Sequence, residues 1–172
     1  MQLPMPRPIS RRNLPLLLLQ AREAVIAHFR PILQHFDLTE QQWRVLRTLA
    51  EEGAREPWQI SERCQILKPS LSGVLTRMEE LGLVQRSKVE SDQRRPMIAI
   101  TRQGAGLVQR MAPLVEAQYA QLEQALGKEQ VAALYETLDR LLASPHAAVS
   151  TVELGQPARR SRARASAPAA SR

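Results

Sequence analysis

Cysteine occurs once in this 172-residue chain, at Cys64. No internal disulfide and no cysteine-rich metal site can form. Aromatic residues make up 3% of the chain, too few to build the stacking platforms that hold single-stranded nucleic acid. Long hydrophobic runs are missing as well. The longest, Leu14 to Leu19, is followed at once by Arg22 and Glu23, so no membrane span is expected. Arg7, Arg11 and Arg12 precede that run and mimic the basic start of a signal peptide, but no small-residue cleavage site follows. A cytoplasmic protein is expected. There is no nucleophile–base pair, no ligand cluster with metal spacing and no glycine-rich phosphate loop. Neither enzyme chemistry, a cofactor nor a metal is therefore expected.

What is present is positive charge, unevenly placed. The formal net charge is +7. Residues 1–12 hold three arginines and no acid, and residues 144–172 hold five arginines against Glu153. The stretch between is neutral in sum, yet residues 55–110 carry ten Lys or Arg against six acids. A neutral body with a basic middle is the charge pattern of a phosphate-binding surface. Nucleic acid is the implied partner.

The apolar periodicity predicts a mainly helical chain. Residues 1–12, with Pro4, Pro6 and Pro8, read as a flexible arm. Asn13 caps a helix to His35, in which Leu18, Ala21, Val25, Phe29 and Ile32 recur at helical spacing and Pro31 is expected to kink the run. Thr39 with Gln42 forms a capping box for a second helix, whose apolar arc is Trp43, Val45, Leu46, Leu49 and Ala50. Residues 53–56 read as a loop. A short helix follows over about 57–65, then another over about 69–81 with Leu71, Val74, Leu75, Met78 and Leu81 as its buried stripe. Thr101 opens a long helix carrying Leu107, Val108, Met111, Leu114, Val115 and Leu122. Pro113 should bend it, and Gly127 ends it. A last helix spans about 128–143. Residues 144–172, rich in Ala, Ser, Pro and Arg, have the composition of a disordered tail.

Between the fourth and fifth helices the sequence reads as a hairpin. One strand carries Arg86 and Lys88, a polar turn holds Asp92 to Arg95, and a second strand runs from Met97 to Ile100. Helix, basic hairpin, helix is the layout of a winged helix-turn-helix, with a helix for the major groove of duplex DNA and a wing for the minor groove. The face opposite the buried stripe of the fourth helix offers Ser70, Ser72, Gly73, Thr76 and Arg77, with Lys68 just before it. These residues, with Arg86, Lys88, Arg94 and Arg95, form the candidate DNA-binding set. Small and hydroxylated residues let a helix sit deep in a groove. The terminal helices have more apolar surface than a small winged domain covers. That predicts a two-fold dimer through helices 13–36 and 102–143, around a DNA-binding part at 39–101.

This order of elements, with Leu38-Thr39, Gln42-Trp43, Thr76-Arg77, Leu81-Gly82-Leu83-Val84, Asp92-x-Arg94, Ile100-Thr101 and Gly104, resembles the MarR family of bacterial repressors over about residues 13–143. LTEQQWRVLRTLAE, ILKPSLSGVLTRMEELGLV and nearly all of the first helix are similar to members that control homoprotocatechuate (3,4-dihydroxyphenylacetate) degradation. The resemblance implies a homodimeric repressor, found on the nucleoid when bound, that leaves its operator when 4-hydroxyphenylacetate or a related aromatic acid binds. It implies that Arg94 enters the minor groove. It also implies that Asp92 holds the wing in shape through a cation, with Arg77 the candidate partner. The Arg-rich tail lies outside the resemblance.

The implied effector pocket lies near the first, second and fifth helices. On a helical wheel Arg22 falls amid Val25, Ile26, Phe29 and Leu33, where an unpaired charge is costly. An aromatic carboxylate matches its fork; an ion pair with Glu23 of the partner subunit or with Glu116 matches it as well. His28 neighbours this face and suits a phenol hydroxyl. Gln42 and Trp43 complete the candidate effector set, although a cap role explains Gln42 and core packing explains Trp43. Arg44 and Arg47 fall off the apolar arc and read as facing a partner subunit or solvent. Two other readings remain open: a regulator sensing another phenolic acid or thiol oxidation at Cys64, and an architectural protein that coats DNA without an effector.

Overall fold

A computed structural model describes residues 10–89 and 92–144 and, for 88, 89 and 92–95, the backbone only. The expected arm and tail, apart from their innermost residues, lie outside the described residues. Six helices and one hairpin follow in the order α1 (Leu14–His35), α2 (Glu40–Glu52), α3 (Pro57–Cys64), α4 (Lys68–Glu80), β1 (Val84–Val89), β2 (Asp92–Ile100), α5 (Arg102–Leu126) and α6 (Lys128–Ala143). The predicted elements are all present.

Local chemistry sets most of the boundaries. Asn13 accepts from the Leu16 amide at 3.1 Å and starts α1. The Thr39 hydroxyl accepts from the Gln42 amide, and the Gln42 side chain accepts from the Thr39 amide, which closes the expected capping box of α2. Thr101 accepts from the Gly104 amide at 3.0 Å to open α5. Three helices end in the same left-handed motif. At α4, Gly82 (φ 66) donates to the Glu79 carbonyl while Leu83 donates to Met78. Asp37 (φ 53) ends α1 and Gln65 (φ 49) ends α3 in the same way, without a glycine to announce it.

The core gathers at the centre of residues 10–127. Val45, Leu46, Leu49, Ile60, Leu75, Met78, Ile98 and Met111 are almost completely buried there. Each contributes about 1.5–3 kcal/mol through burial. Three positions of the apolar runs read on the helices are not covered in the single chain. Ala50 is exposed, Leu81 is 37% exposed and Leu114 is 45% exposed. Leu81 sits at the C-cap, where the helix axis turns away from the core, and Leu114 points off the face of α5 that carries Met111 and Val115. Both α1 and α5 continue through their prolines, Pro31 and Pro113.

The hairpin departs from expectation at its tip. Pairing is regular from Val84↔Ile100 to Lys88↔Pro96 and then jumps to Val89↔Asp92. The second strand therefore begins at Asp92 rather than Met97, and Gln93, Arg94 and Arg95 form a bulge within it rather than a turn. Pro96, which cannot donate to a ladder, stands beside that bulge. The expected loop at 53–56 also does more than connect. Arg55 and Ile98 exchange backbone hydrogen bonds of 3.0 and 2.8 Å, which pins the base of the hairpin to the end of α2.

The joint between α4 and α5 is the tightest approach in this part of the chain. The Leu83 carbonyl accepts from the Thr101 amide at 3.1 Å and from its hydroxyl at 3.2 Å, and the Gly82 carbonyl accepts from the same hydroxyl at 2.6 Å. A Cβ at Gly104 would fall on the Leu83 carbonyl oxygen and crowd Ile100. Gly104→Ala is predicted to destabilise the protein by about 2 kcal/mol or more through overpacking against backbone. Urea unfolding at fixed protein concentration measures it; an unchanged midpoint would show that the joint yields.

Candidate nucleic-acid interface

α4 buries Leu71, Leu75 and Met78. That leaves Lys68, Ser70, Ser72, Gly73, Thr76 and Arg77 together on its exposed side, as the sequence predicted. Arg86 lies beside this surface on β1. The side chains of Lys88, Asp92, Arg94 and Arg95 lie outside the described residues, so the expected wing-tip contacts and the Asp92–Arg77 pair fall there too. Within the described residues, Arg77 binds Glu80 on its own helix at 3.0 Å.

The cations of this surface are held differently. Both oxygens of Glu79 accept from Arg86 Nε at 2.9 Å, so this arginine ties the hairpin to the end of α4. Arg55 and Arg63 share Glu52, each at 3.4 Å. Lys68 has no carboxylate partner among the described residues. Exposed ion pairs are worth about 0–1 kcal/mol, so phosphates can replace these carboxylates at little cost.

Gly73 stands apart from the other glycines. It lies in the middle of α4, and a Cβ there would meet nothing within 4 Å. The protomer has no packing reason for it, and glycine in a helix interior costs about 1 kcal/mol relative to alanine. Its exposed position suits close approach of the helix backbone to a ligand surface.

The residues expected to hold an effector do not share one surface. Gln42 and Trp43 are buried in α2, with Gln42 occupied by its cap. Arg22 is about half exposed and pairs with Glu40 in the first turn of α2, and more loosely with Glu23 of its own chain at 4.0 Å. Within the chain the anticipated pairing with Glu116 is replaced by this contact, because α1 carries Arg22 past the start of α2. His28 is exposed. Arg44, expected to face outward, instead donates to the Cys64 carbonyl on α3. Burial and the charge of Arg22 press its pKa down.

A different cluster sits where α1, α2 and α5 meet. Arg47 donates to the Tyr119 hydroxyl at 3.3 Å and to Glu51 at 2.7 Å, and its guanidinium lies 6.0 Å from the centre of the Tyr119 ring. The Phe29 ring lies 4.8 Å from that ring. Burial lowers the Arg47 pKa, but the bonds to Glu51 and Tyr119 more than offset it, so the net shift is upward. Sequence reasoning set Arg47 aside because it falls off the apolar arc. The only signal was that Tyr119, a rare residue type here, lies on the long helix.

Cys64 is buried, 3.4 Å from the Thr48 hydroxyl. Burial pushes its thiol pKa up, against the hydrogen bond and the charge of Arg44. Thiolate is the reactive form, so this environment suits packing. Among the described residues there is no metal-binding group of acids, histidines and cysteines, and no helix long and apolar enough to cross a membrane.

The sequence profile of the MarR family matches residues 38–95, the whole span from the start of α2 to the hairpin. The homoprotocatechuate degradative operon repressor of Escherichia coli is 43% identical over 131 residues, 76% of this chain and 88% of that protein. The chain belongs to the MarR family. It is a DNA-binding transcriptional repressor with a winged helix-turn-helix, not an enzyme. The structure of NadR in complex with 4-hydroxyphenylacetate is 38% identical, with 82% of this chain and 100% of NadR covered at a TM-score of 0.73. The repressor CouR bound to a 23-mer DNA duplex is 27% identical, with 75% and 92% covered at a TM-score of 0.68.

In such a repressor Gly73→Ala is predicted to separate stability from binding. The variant should unfold at higher urea, by about 0.5–1 kcal/mol, and bind operator DNA about tenfold more weakly. Equal or tighter DNA binding would remove Gly73 from the interface.

Proposed function

We propose that two copies of this chain form a two-fold dimer that represses an aromatic-acid catabolic operon and leaves its operator when the acid binds. The exposed leucines of α1 (Leu14, Leu16, Leu17, Leu18 and Leu19) and those of α6 (Leu134, Leu141 and Leu142) support dimerisation through helices 13–36 and 102–143, with 39–101 as the DNA-binding part. Lys68, Ser70, Ser72, Gly73, Thr76, Arg77 and Arg86, joined by Lys88, Arg94 and Arg95 of the wing, meet the duplex. Asp92 shapes the wing. The repressor works in the cytoplasm, on the nucleoid while bound.

The Arg47–Tyr119 pair carries the effector reading. A hydroxylated phenylacetate has a ring, a carboxylate and a phenol. Arg47 matches the carboxylate, the rings of Phe29 and Tyr119 match the ring, and the exposed Glu51 gives up the guanidinium cheaply. Arg22 and His28 on α1 extend it toward the partner subunit. The relation of NadR to 4-hydroxyphenylacetate and of the E. coli relative to homoprotocatechuate degradation supports this ligand class. The acid must prefer a dimer whose recognition helices are wrongly spaced for the two half-sites.

Fluorescence anisotropy of labelled DNA from upstream of the gene tests the reading. Tight binding at physiological salt is expected, weakened about 5- to 150-fold by 4-hydroxyphenylacetate or 3,4-dihydroxyphenylacetate. Arg47→Ala should keep the DNA affinity and lose most of the response. DNA binding indifferent to both acids would sink the effector assignment. Release by peroxide that disappears in Cys64→Ser would replace it with thiol sensing.

A further inference from the structure

Trp58 is one of two tryptophans, and it is 49% exposed while Trp43 is buried. It stands in the first turn of α3, just after Pro57. An indole left in water at a helix start is a cost unless something covers it, because a large apolar face stays hydrated and a donor-only N–H stays without a fixed partner.

Its surroundings say what covers it. On one side Trp58 borders a cavity of about 350 Å³ between α3, α4 and the hairpin, shared with Lys68, Ser72 and Arg86. On the other side it borders a second depression with Arg55 and Arg63. The ring therefore bridges two groups of cations. Glu62 also lines the second depression, exposed and without an ion pair among the described residues, and the other nearby carboxylates are engaged. Glu52 takes Arg55 and Arg63, Glu79 takes Arg86, and Glu56 is buried with a partner of its own. Lys68 remains uncommitted among the described residues. In a helix-turn-helix the helix before the recognition helix crosses the sugar-phosphate backbone while the recognition helix enters the groove. α3 holds that position relative to α4.

We propose that Trp58 is a DNA-positioning residue. Its indole N–H donates to a backbone phosphate, its ring lies over the adjoining deoxyribose, and it fixes the register of α4 in the groove without reading a base. This rests on the DNA-binding reading above and deepens it. A neutral contact of this kind has two consequences. It adds affinity to every duplex alike, because the backbone carries no sequence. It also releases no counterion, so it leaves the salt dependence of binding untouched, whereas loss of a phosphate-bound lysine flattens the slope by about 0.9.

The experiment uses the full chain and a duplex from upstream of its gene, with a scrambled duplex beside it. Acrylamide quenching of wild-type tryptophan emission should fall on DNA addition, since Trp58 supplies nearly all the quenchable signal. Trp58→Phe, which keeps the ring and loses the N–H, should fold with an unchanged melting temperature and bind both duplexes about 3- to 10-fold more weakly. Its plot of log affinity against log salt should run parallel to wild type, while Lys68→Ala gives a shallower line. The proposal is overturned if Trp58 stays equally quenchable in the complex, if Trp58→Phe binds as wild type, or if its loss is confined to the specific duplex. Failure of the wild type to bind either duplex would overturn the DNA-binding reading itself.

Discussion

The carbonyl of Leu83 is the point on which the rest of the DNA-binding architecture depends. The Leu83 amide closes the turn after α4 by donating to the Met78 carbonyl, while the Leu83 carbonyl accepts from both the amide and the hydroxyl of Thr101 and lies so close to Gly104 that no side chain fits between them. One residue thus ends the recognition helix, starts the hairpin and receives the cap of α5. Gln103 adds a further bond to the Leu81 carbonyl at 3.0 Å. Two elements joined by several short hydrogen bonds and a backbone contact this close move together, since packed interiors shift as units rather than deform smoothly. A change in the long helix α5 is therefore a change in the placement of α4. In the proposed dimer that is the physical link between an acid bound beside Tyr119 and the spacing of two recognition helices.

The electrostatics fit a surface that awaits an anion. Among the described residues, most of its cations are held by nearby carboxylates: Arg77 by Glu80, Arg86 by Glu79, and Arg55 and Arg63 by Glu52. Such pairs hold long side chains near useful positions at a net worth of about 0–1 kcal/mol each. Phosphates can take over these guanidiniums without a large penalty. The same logic applies at Arg47, whose exposed partner Glu51 stands where an incoming carboxylate would bind. Trp58 differs in kind, because its contribution does not depend on ionic strength.

What was legible in the sequence was what is local. Asn13, the Thr39–Gln42 box and Thr101 mark helix starts because a cap needs only its own turn, and each was read correctly. The polar face of α4 was legible because its period is fixed by the helix. Non-local contacts left no such trace. Arg55 pairs with Ile98 across 43 residues of chain, and Arg22 meets Glu40 only because of how α1 packs on α2. Asp37 and Gln65 adopt left-handed conformations that nothing in their type demands. Arg47 was passed over because helical periodicity ranks residues by burial, and a half-exposed cation beside a tyrosine is invisible to it. Leu114, part of the apolar run read on the long helix, lies exposed in the single chain, as a leucine reserved for a second copy would.

The central claim is that acid binding changes the distance between the two recognition helices. A spin label at Gln85→Cys, in a Cys64→Ser background, places one probe per subunit beside α4 at an exposed position. Pulsed dipolar spectroscopy then gives that distance in the DNA complex and after addition of 4-hydroxyphenylacetate. The account predicts a narrow distribution on DNA and a displaced one with the acid. An unchanged distribution under conditions where the acid releases DNA would contradict it.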